Sequence, residues 1–291
     1  MENAEVKRND SGLYLVSDPR SEVTQQDIDI VAIHGLNGHC FETWTHHGKT
    51  QAARTFWLKD LLPDKMPHAR IWTFQYDAKI MGSESMYEVP DTARLLLQQL
   101  RTQRRPKDQG RPIIFLVHSL GGIIIKQAIQ IANTNFEFSD IAASTKGIVF
   151  FGTPHRGSDL AKWGSMLSEA AMAAAPGQWS SKLIPILETY SERLLELSDD
   201  FRPFAGQYAI VSFYEQHVHP VLGNLVVDKD SVILGLAHED IMMLGGDHSS
   251  MCKFFRDDPR FESVWRAIER AVEGPPVMPV SRRARRGRRG V

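Results

Sequence analysis

Arg111-Pro-Ile-Ile-Phe-Leu-Val-His-Ser-Leu-Gly-Gly122, running on into Ile123-Ile-Ile-Lys-Gln-Ala-Ile-Gln-Ile-Ala132, sets the architecture of this chain. Ile113 to Val117 form an unbroken apolar run rich in β-branched residues, as a parallel strand buried on both faces requires. Ile124, Ala128 and Ile131 recur three or four apart, which is helical spacing, and Asn133 marks the expected end. Only His118-Ser119-Leu120-Gly121-Gly122 separates strand from helix. A reversal within so few residues strains one of them, and glycines just beyond it let the helix approach closely. Ser119 at the apex then points its hydroxyl out of the sheet edge at a helix N-terminus, where free backbone N–H groups favour negative charge. A serine nucleophile needs this geometry. The alternative is an ordinary strand–helix corner whose serine only caps the helix.

The 291 residues, 42% hydrophobic and 24% charged, fit a globular protein able to bury a large core. The charge is unevenly spread. Residues 275–291 hold six arginines (Arg282, Arg283, Arg285, Arg286, Arg288, Arg289) and no acid, so subtracting those six from the net −1 leaves −7 on residues 1–274. We expect one α/β domain over residues 1–273 and a Pro/Arg-rich disordered tail over 274–291. The tail is a candidate for neutralising an anionic membrane surface, without specific nucleic-acid recognition. Cys40 and Cys252 make no disulfide framework, which suits a reducing compartment. The first ten residues lack the apolar core of a secretory signal, and no apolar run approaches the ~18 residues of a membrane span. A cytoplasmic location is expected, with peripheral-membrane or mitochondrial placement as variants.

Gly12 to Val16 reads as an edge strand. Asp27 to His34 is a stronger strand, running into Gly35-Leu36-Asn37-Gly38-His39. Glycine-bearing loops at the carboxyl ends of strands are where open α/β sheets place ligand sites. In a serine hydrolase the backbone N–H groups of Leu36 and of Leu120, the residue after the nucleophile, would hold a developing oxyanion. A plain Asn-Gly turn is the alternative for the Leu36 loop. Thr50 to Leu62 reads as a helix ended by Pro63, Arg70 to Tyr76 as a strand, and Pro90 to Gln103 as a helix. Arg104 to Gly110 reads as a solvated turn. Lys146 to Phe151 is the next strand, opening into Gly152-Thr-Pro-His-Arg-Gly-Ser158. This alternation predicts a mostly parallel sheet covered by helices on both faces.

Asp29-Ile-Val-Ala-Ile-His-Gly-Leu-Asn-Gly-His39, Val117-His-Ser-Leu-Gly-Gly122 and Phe151-Gly-Thr-Pro-His-Arg-Gly-Ser158 together resemble the α/β-hydrolase superfamily. Within it they resemble serine esterases of the serine-active-site-containing and GPI-inositol-deacylase kind. Trp44-Thr45, Phe56-Trp57-Leu58, Asp60-Leu61-Leu62-Pro63, Ser212-Phe-Tyr-Glu215, Asp247-His248 and Met251-Cys-Lys-Phe254 are similar to the esterase-like heads of fungal NOD-like receptors. The likeness runs from about Gly12 to Asp258. Val117 stands where the superfamily more often has glycine.

Residues 159–204 read as a helical, cap-like insertion, with Trp163, Met166 and Trp179 as candidates to face an acyl chain; helices packed on the sheet are the alternative. Tyr208 to Tyr214 is a strand ending at Glu215, and Asp240 to Leu244 a weaker one followed by Gly245-Gly-Asp-His248. A serine nucleophile needs a base, and the base an acid to fix its tautomer. In this fold those partners follow in the order serine, acid, histidine. Ser119, Glu215 and His248 satisfy that order, the resemblance aligns the same residues, and Asp228 is the alternative acid. His217 and His219 lack a third metal ligand at suitable spacing. Phe261 to Val272 is a final helix.

The expected activity is hydrolysis of carboxylic esters of lipid or other acyl type, through an acyl-enzyme on Ser119 and with no metal or cofactor. A non-catalytic or weakly catalytic signalling module is the rival. An acyltransferase would share the same intermediate.

Overall fold

Strand β6 (Ile113–His118) lies at the centre of a seven-stranded sheet and is buried along its whole length. The computed structural model describes residues 6–7, 10–19, 27–78, 88–155, 196–220 and 223–275. In chain order the other strands are β1 (Gly12–Ser17), β2 (Ile28–Ile33), the short pair β3 (Thr45–His46) and β4 (Thr55–Phe56), β5 (Ala69–Gln75), β7 (Thr145–Phe151), β8 (Ala209–Glu215) and β9 (Glu239–Leu244). The sheet order is β1-β5-β2-β6-β7-β8-β9. Every neighbour pairs in parallel except β1, which closes one edge antiparallel to β5.

The period of two along β6 divides the core into two layers. Ile113, Phe115 and Val117 face one way, against Ala93, Leu96, Leu97 and Leu100 of α3 (Glu88–Gln103) and Ile124, Ile125 and Ala128 of α4 (Gly121–Thr134). Ile114 and Leu116 face the other way, against Trp44 and Trp57 and against Val264, Trp265 and Ile268 of a C-terminal helix, Arg260–Val272. Helices therefore cover both faces, as the strand–helix alternation predicts. Phe201, in the helical residues 196–205, is buried in the first layer, so the end of the expected insertion packs on the core. Residues 159–195, including Trp163, Met166 and Trp179, lie outside the described residues. So does the arginine run from Arg282 to Arg289.

Two local expectations are corrected. Thr50 to Leu62 is not one helix. A 3-10 turn at Gln51–Ala53 is followed by β4, then by α1 (Trp57–Asp60) and α2 (Leu62–Lys65), with Pro63 in the first turn of α2 rather than beyond a helix end. The pairing of Phe56 with Thr45 extends the backbone there, and the Asp60 carboxylate accepts the Phe56 N–H at 2.8 Å. Trp57 then points inward, its indole N–H donating to the Cys252 carbonyl.

Nor is Arg104 to Gly110 a solvated turn. Arg104 and Asp108 are buried beneath the amino ends of β2 and β5. Asp29 and Arg70 are register partners, and Arg70 grips Asp29 with two hydrogen bonds, 2.7 and 3.0 Å, while a third reaches Asp108 at 3.1 Å. Arg104 also binds Asp29, and Arg111 binds Asp27 at 2.7 Å. Three carboxylates neutralise three guanidinium groups, which is what lets this polar cluster sit under the sheet.

Candidate active site

Ser119 stands at the opposite edge, beyond the carboxyl end of β6, with φ 52. A non-glycine residue in the left-handed region costs about 1–3 kcal/mol and persists only where its surroundings impose it. Here the Ser119 N–H donates to the Phe151 carbonyl at 2.9 Å, and the Thr153 hydroxyl donates to the Ser119 carbonyl at 3.0 Å. Immediately afterwards α4 passes so close to β2 that a Cβ on Gly121 would lie 2.6 Å from the Ile33 carbonyl oxygen. The serine does not cap this helix: the N-cap position is Leu120, with no side-chain cap bond, and the Ser119 hydroxyl is buried without a hydrogen-bond partner.

The loop after β2 lies alongside. A Cβ on Gly35 would come within 2.7 Å of Ser119 Cβ. The loop turns at Gly35–Gly38, closed by the Gly38 N–H to the Gly35 carbonyl at 3.0 Å, with Asn37 at φ 54. Behind it Tyr76 stacks on the His34 ring at 4.3 Å and donates its hydroxyl to the His34 carbonyl. Leu36 thus sits on a braced turn beside the serine, and Leu120 is the N-cap of α4, at the helix end that favours negative charge.

Glu215 ends β8, and His248 lies in the loop after β9; both are buried. Glu215 Oε1 is 3.9 Å from His248 Nδ1 and accepts the Val227 N–H at 2.5 Å. Asp228 is engaged elsewhere. It caps the short helix α6 (Lys229–Val232; α5 is Ser139–Ser144), accepting the Ser231 N–H at 2.9 Å. His248 packs against the segment that also holds Ser119: a Cβ on Gly152 would lie 3.0 Å from His248 Nδ1. Neither ring nitrogen of His248 has a hydrogen-bond partner, so the hydroxyl–imidazole bond of an engaged nucleophile is not formed.

Burial dominates the electrostatics. It pushes Glu215 up from 4.5 to about 7, against the pull of the surrounding Val227, Val226 and His248 N–H groups. Burial, then the nearby His118 and His219, hold His248 well below the usual imidazole range, so it is neutral and able to accept a proton. His217 is exposed, and among the described residues no group of three or more His, Cys, Asp or Glu is arranged to hold a metal ion. Cys40 is a buried filler whose thiol burial pushes up to about 12. Thr153 and His118 were not singled out by the motifs, although the alternation along β6 does place His118 on the Leu116 side.

The sheet order, the strained serine between β6 and α4 and the helices on both faces define an α/β-hydrolase fold. A carboxylesterase structure from the ammonia-oxidizing thaumarchaeon Nitrososphaera gargenis shares it, with TM-score 0.52 and 13% identity, over 90% of this chain and 95% of that one. In sequence the chain is similar to Protein SERAC1, 27% identical to that of Danio rerio and 28% to that of Homo sapiens, each over 261 residues and 83% of this chain. It spans 38% of the length of those curated relatives. No protein-family model matches it. Among the described residues no helix is long and apolar enough to cross a membrane.

Proposed function

We propose that the chain is a serine hydrolase of carboxylic esters. Ser119 Oγ attacks the ester carbonyl as His248 takes its proton, and the Leu36 and Leu120 N–H groups hold the tetrahedral oxyanion. Collapse expels the alcohol, which leaves with the proton from His248, and an acyl-enzyme remains on Ser119. Water, deprotonated by His248, then releases the acid and frees the serine. Glu215 steadies the imidazolium in each half-reaction: once His248 is charged, an ionised carboxylate at 3.9 Å becomes favourable despite burial.

One observation chiefly carries the proposal: a buried, unpartnered serine hydroxyl at φ 52, held by Phe151 and Thr153, with a buried neutral imidazole packed against Gly152 between them. Catalytic hydrogen bonds often tighten only when substrate is bound. The unformed serine–imidazole bond favours a second reading, a binding module of the resembled receptor-head type in which the site is vestigial. Turnover of p-nitrophenyl esters of graded acyl length decides between them. The hydrolase reading expects turnover in the native chain and its loss in Ser119→Ala. Absence of turnover from the native chain supports the second reading, and turnover that survives the substitution removes Ser119 as the nucleophile.

A further inference from the structure

His118, the residue before the candidate nucleophile, takes no part in the steps above. Because side chains alternate along β6, it points to the layer opposite Val117, beyond Leu116, where the loop bearing His248 arrives. Its Nε2 lies 2.8 Å from the main-chain carbonyl oxygen of His248, and the two rings are 5.0 Å apart. A carbonyl only accepts, so Nε2 must carry the hydrogen and Nδ1 the lone pair. The other edge of the ring faces the turn that carries Leu36: a Cβ on Gly35 would lie 3.1 Å from His118 Nδ1. The ring is buried, and that burial pushes it down to about 4, so it stays neutral and keeps a single ring hydrogen.

We propose that His118 is a positioning residue that ties the peptide of His248 to the nucleophile elbow and so sets where the candidate base sits relative to Ser119. Its catalytic consequence rests on the hydrolase reading; the tie itself does not. Other bonds hold the flanks of that loop. The Gly246 carbonyl accepts the Gln216 and His217 N–H groups, and the Gly245 carbonyl accepts from the Arg260 guanidinium. The bond from His118 falls on the peptide of the base itself.

Two measurements test the proposal. Nitrogen NMR of the histidine rings in the native chain reads the tautomer directly: His118 is expected as the Nε2–H form, and an Nδ1–H form overturns the proposal with no variant needed. His118→Leu keeps the bulk and removes the donor, whereas His118→Gln keeps an N–H at similar reach. In the leucine variant, hydrogen exchange should quicken at residues 247–251 but not along β6 or β8. Its kcat on a p-nitrophenyl ester should fall about 10- to 100-fold with KM changed less than about twofold. The glutamine variant should recover most of both. Unchanged exchange at 247–251 in His118→Leu, or a glutamine variant as impaired as the leucine one, overturns the proposal. A native chain without ester turnover removes the hydrolase reading, and the NMR and exchange results still decide whether the tie exists.

Discussion

Glu215 Oε1 and His248 Nδ1 face each other across 3.9 Å, both side chains all but removed from solvent, at 0% and 5% exposure. Neither charge is favourable there alone. Burial favours the neutral carboxyl and the neutral imidazole, and only a proton delivered to His248 makes the ionised carboxylate welcome.

The rate of ester hydrolysis should therefore fall towards acid as Glu215 takes up a proton, with the limb centred at about pH 7. A pH profile of kcat/KM reads this limb. It should be absent from Glu215→Gln, whose residual rate is lower by about 10⁴, the loss seen when a triad acid can no longer fix the histidine. Asp228→Asn should keep the native rate, because Asp228 caps α6.

The same burial has a stability consequence of opposite sign. The folded-state value of Glu215 lies above its unfolded value of 4.5, so its contribution is fully present below pH 4.5 and is lost as pH rises through about 7. Glu215→Gln should match the native chain in urea unfolding near pH 4.5. Above pH 7 it should be more stable, by on the order of 3 kcal/mol. Equal stability at both pH values contradicts this account of the carboxyl.

At the far edge of the sheet the outcome should be purely structural. Arg104→Ala strips a partner from the buried Asp29 and should cost about 3–5 kcal/mol in denaturant unfolding. The folded fraction should keep its native turnover, since this cluster lies at the amino ends of the strands and the serine at the carboxyl ends.

Close packing at the elbow leaves no room for a methyl group. In Gly121→Ala the new Cβ would sit 2.6 Å from the Ile33 carbonyl oxygen, so α4 must shift. We expect a loss of about 1–3 kcal/mol, with turnover falling by more than the loss of folded protein explains. Gly206→Ala, which would meet nothing within 4 Å, is the matched control.

Long apolar strands and spaced helical residues made the layered architecture legible, because burial on both faces requires unbroken apolar runs such as Ile113 to Val117 in β6 and Ile148 to Phe151 in β7. The elbow was legible for a different reason: a serine between a strand and two glycines has few ways to turn. Thr50 to Leu62 misled because Ala53, Phe56, Trp57 and Leu61 do fall at helical spacing. Strand pairing at Phe56 outweighed that local preference, and no periodicity announces such a partner. Arg104 misled because a charged turn reads as solvated until Asp29, 75 residues away, is seen to neutralise it. The tie from His118 to the His248 peptide has no signature in the sequence because its acceptor is main chain, which no residue type marks.

The central claim is that Ser119, at φ 52 and held by Phe151 and Thr153 on either side of the Gly152 that a neutral His248 packs against, is a nucleophile. Peptide mapping after exposure to a fluorophosphonate tests it most directly. One adduct on Ser119 is predicted, lost in His248→Ala although the serine remains. A native chain left unmodified, or an adduct on another serine, would contradict the claim.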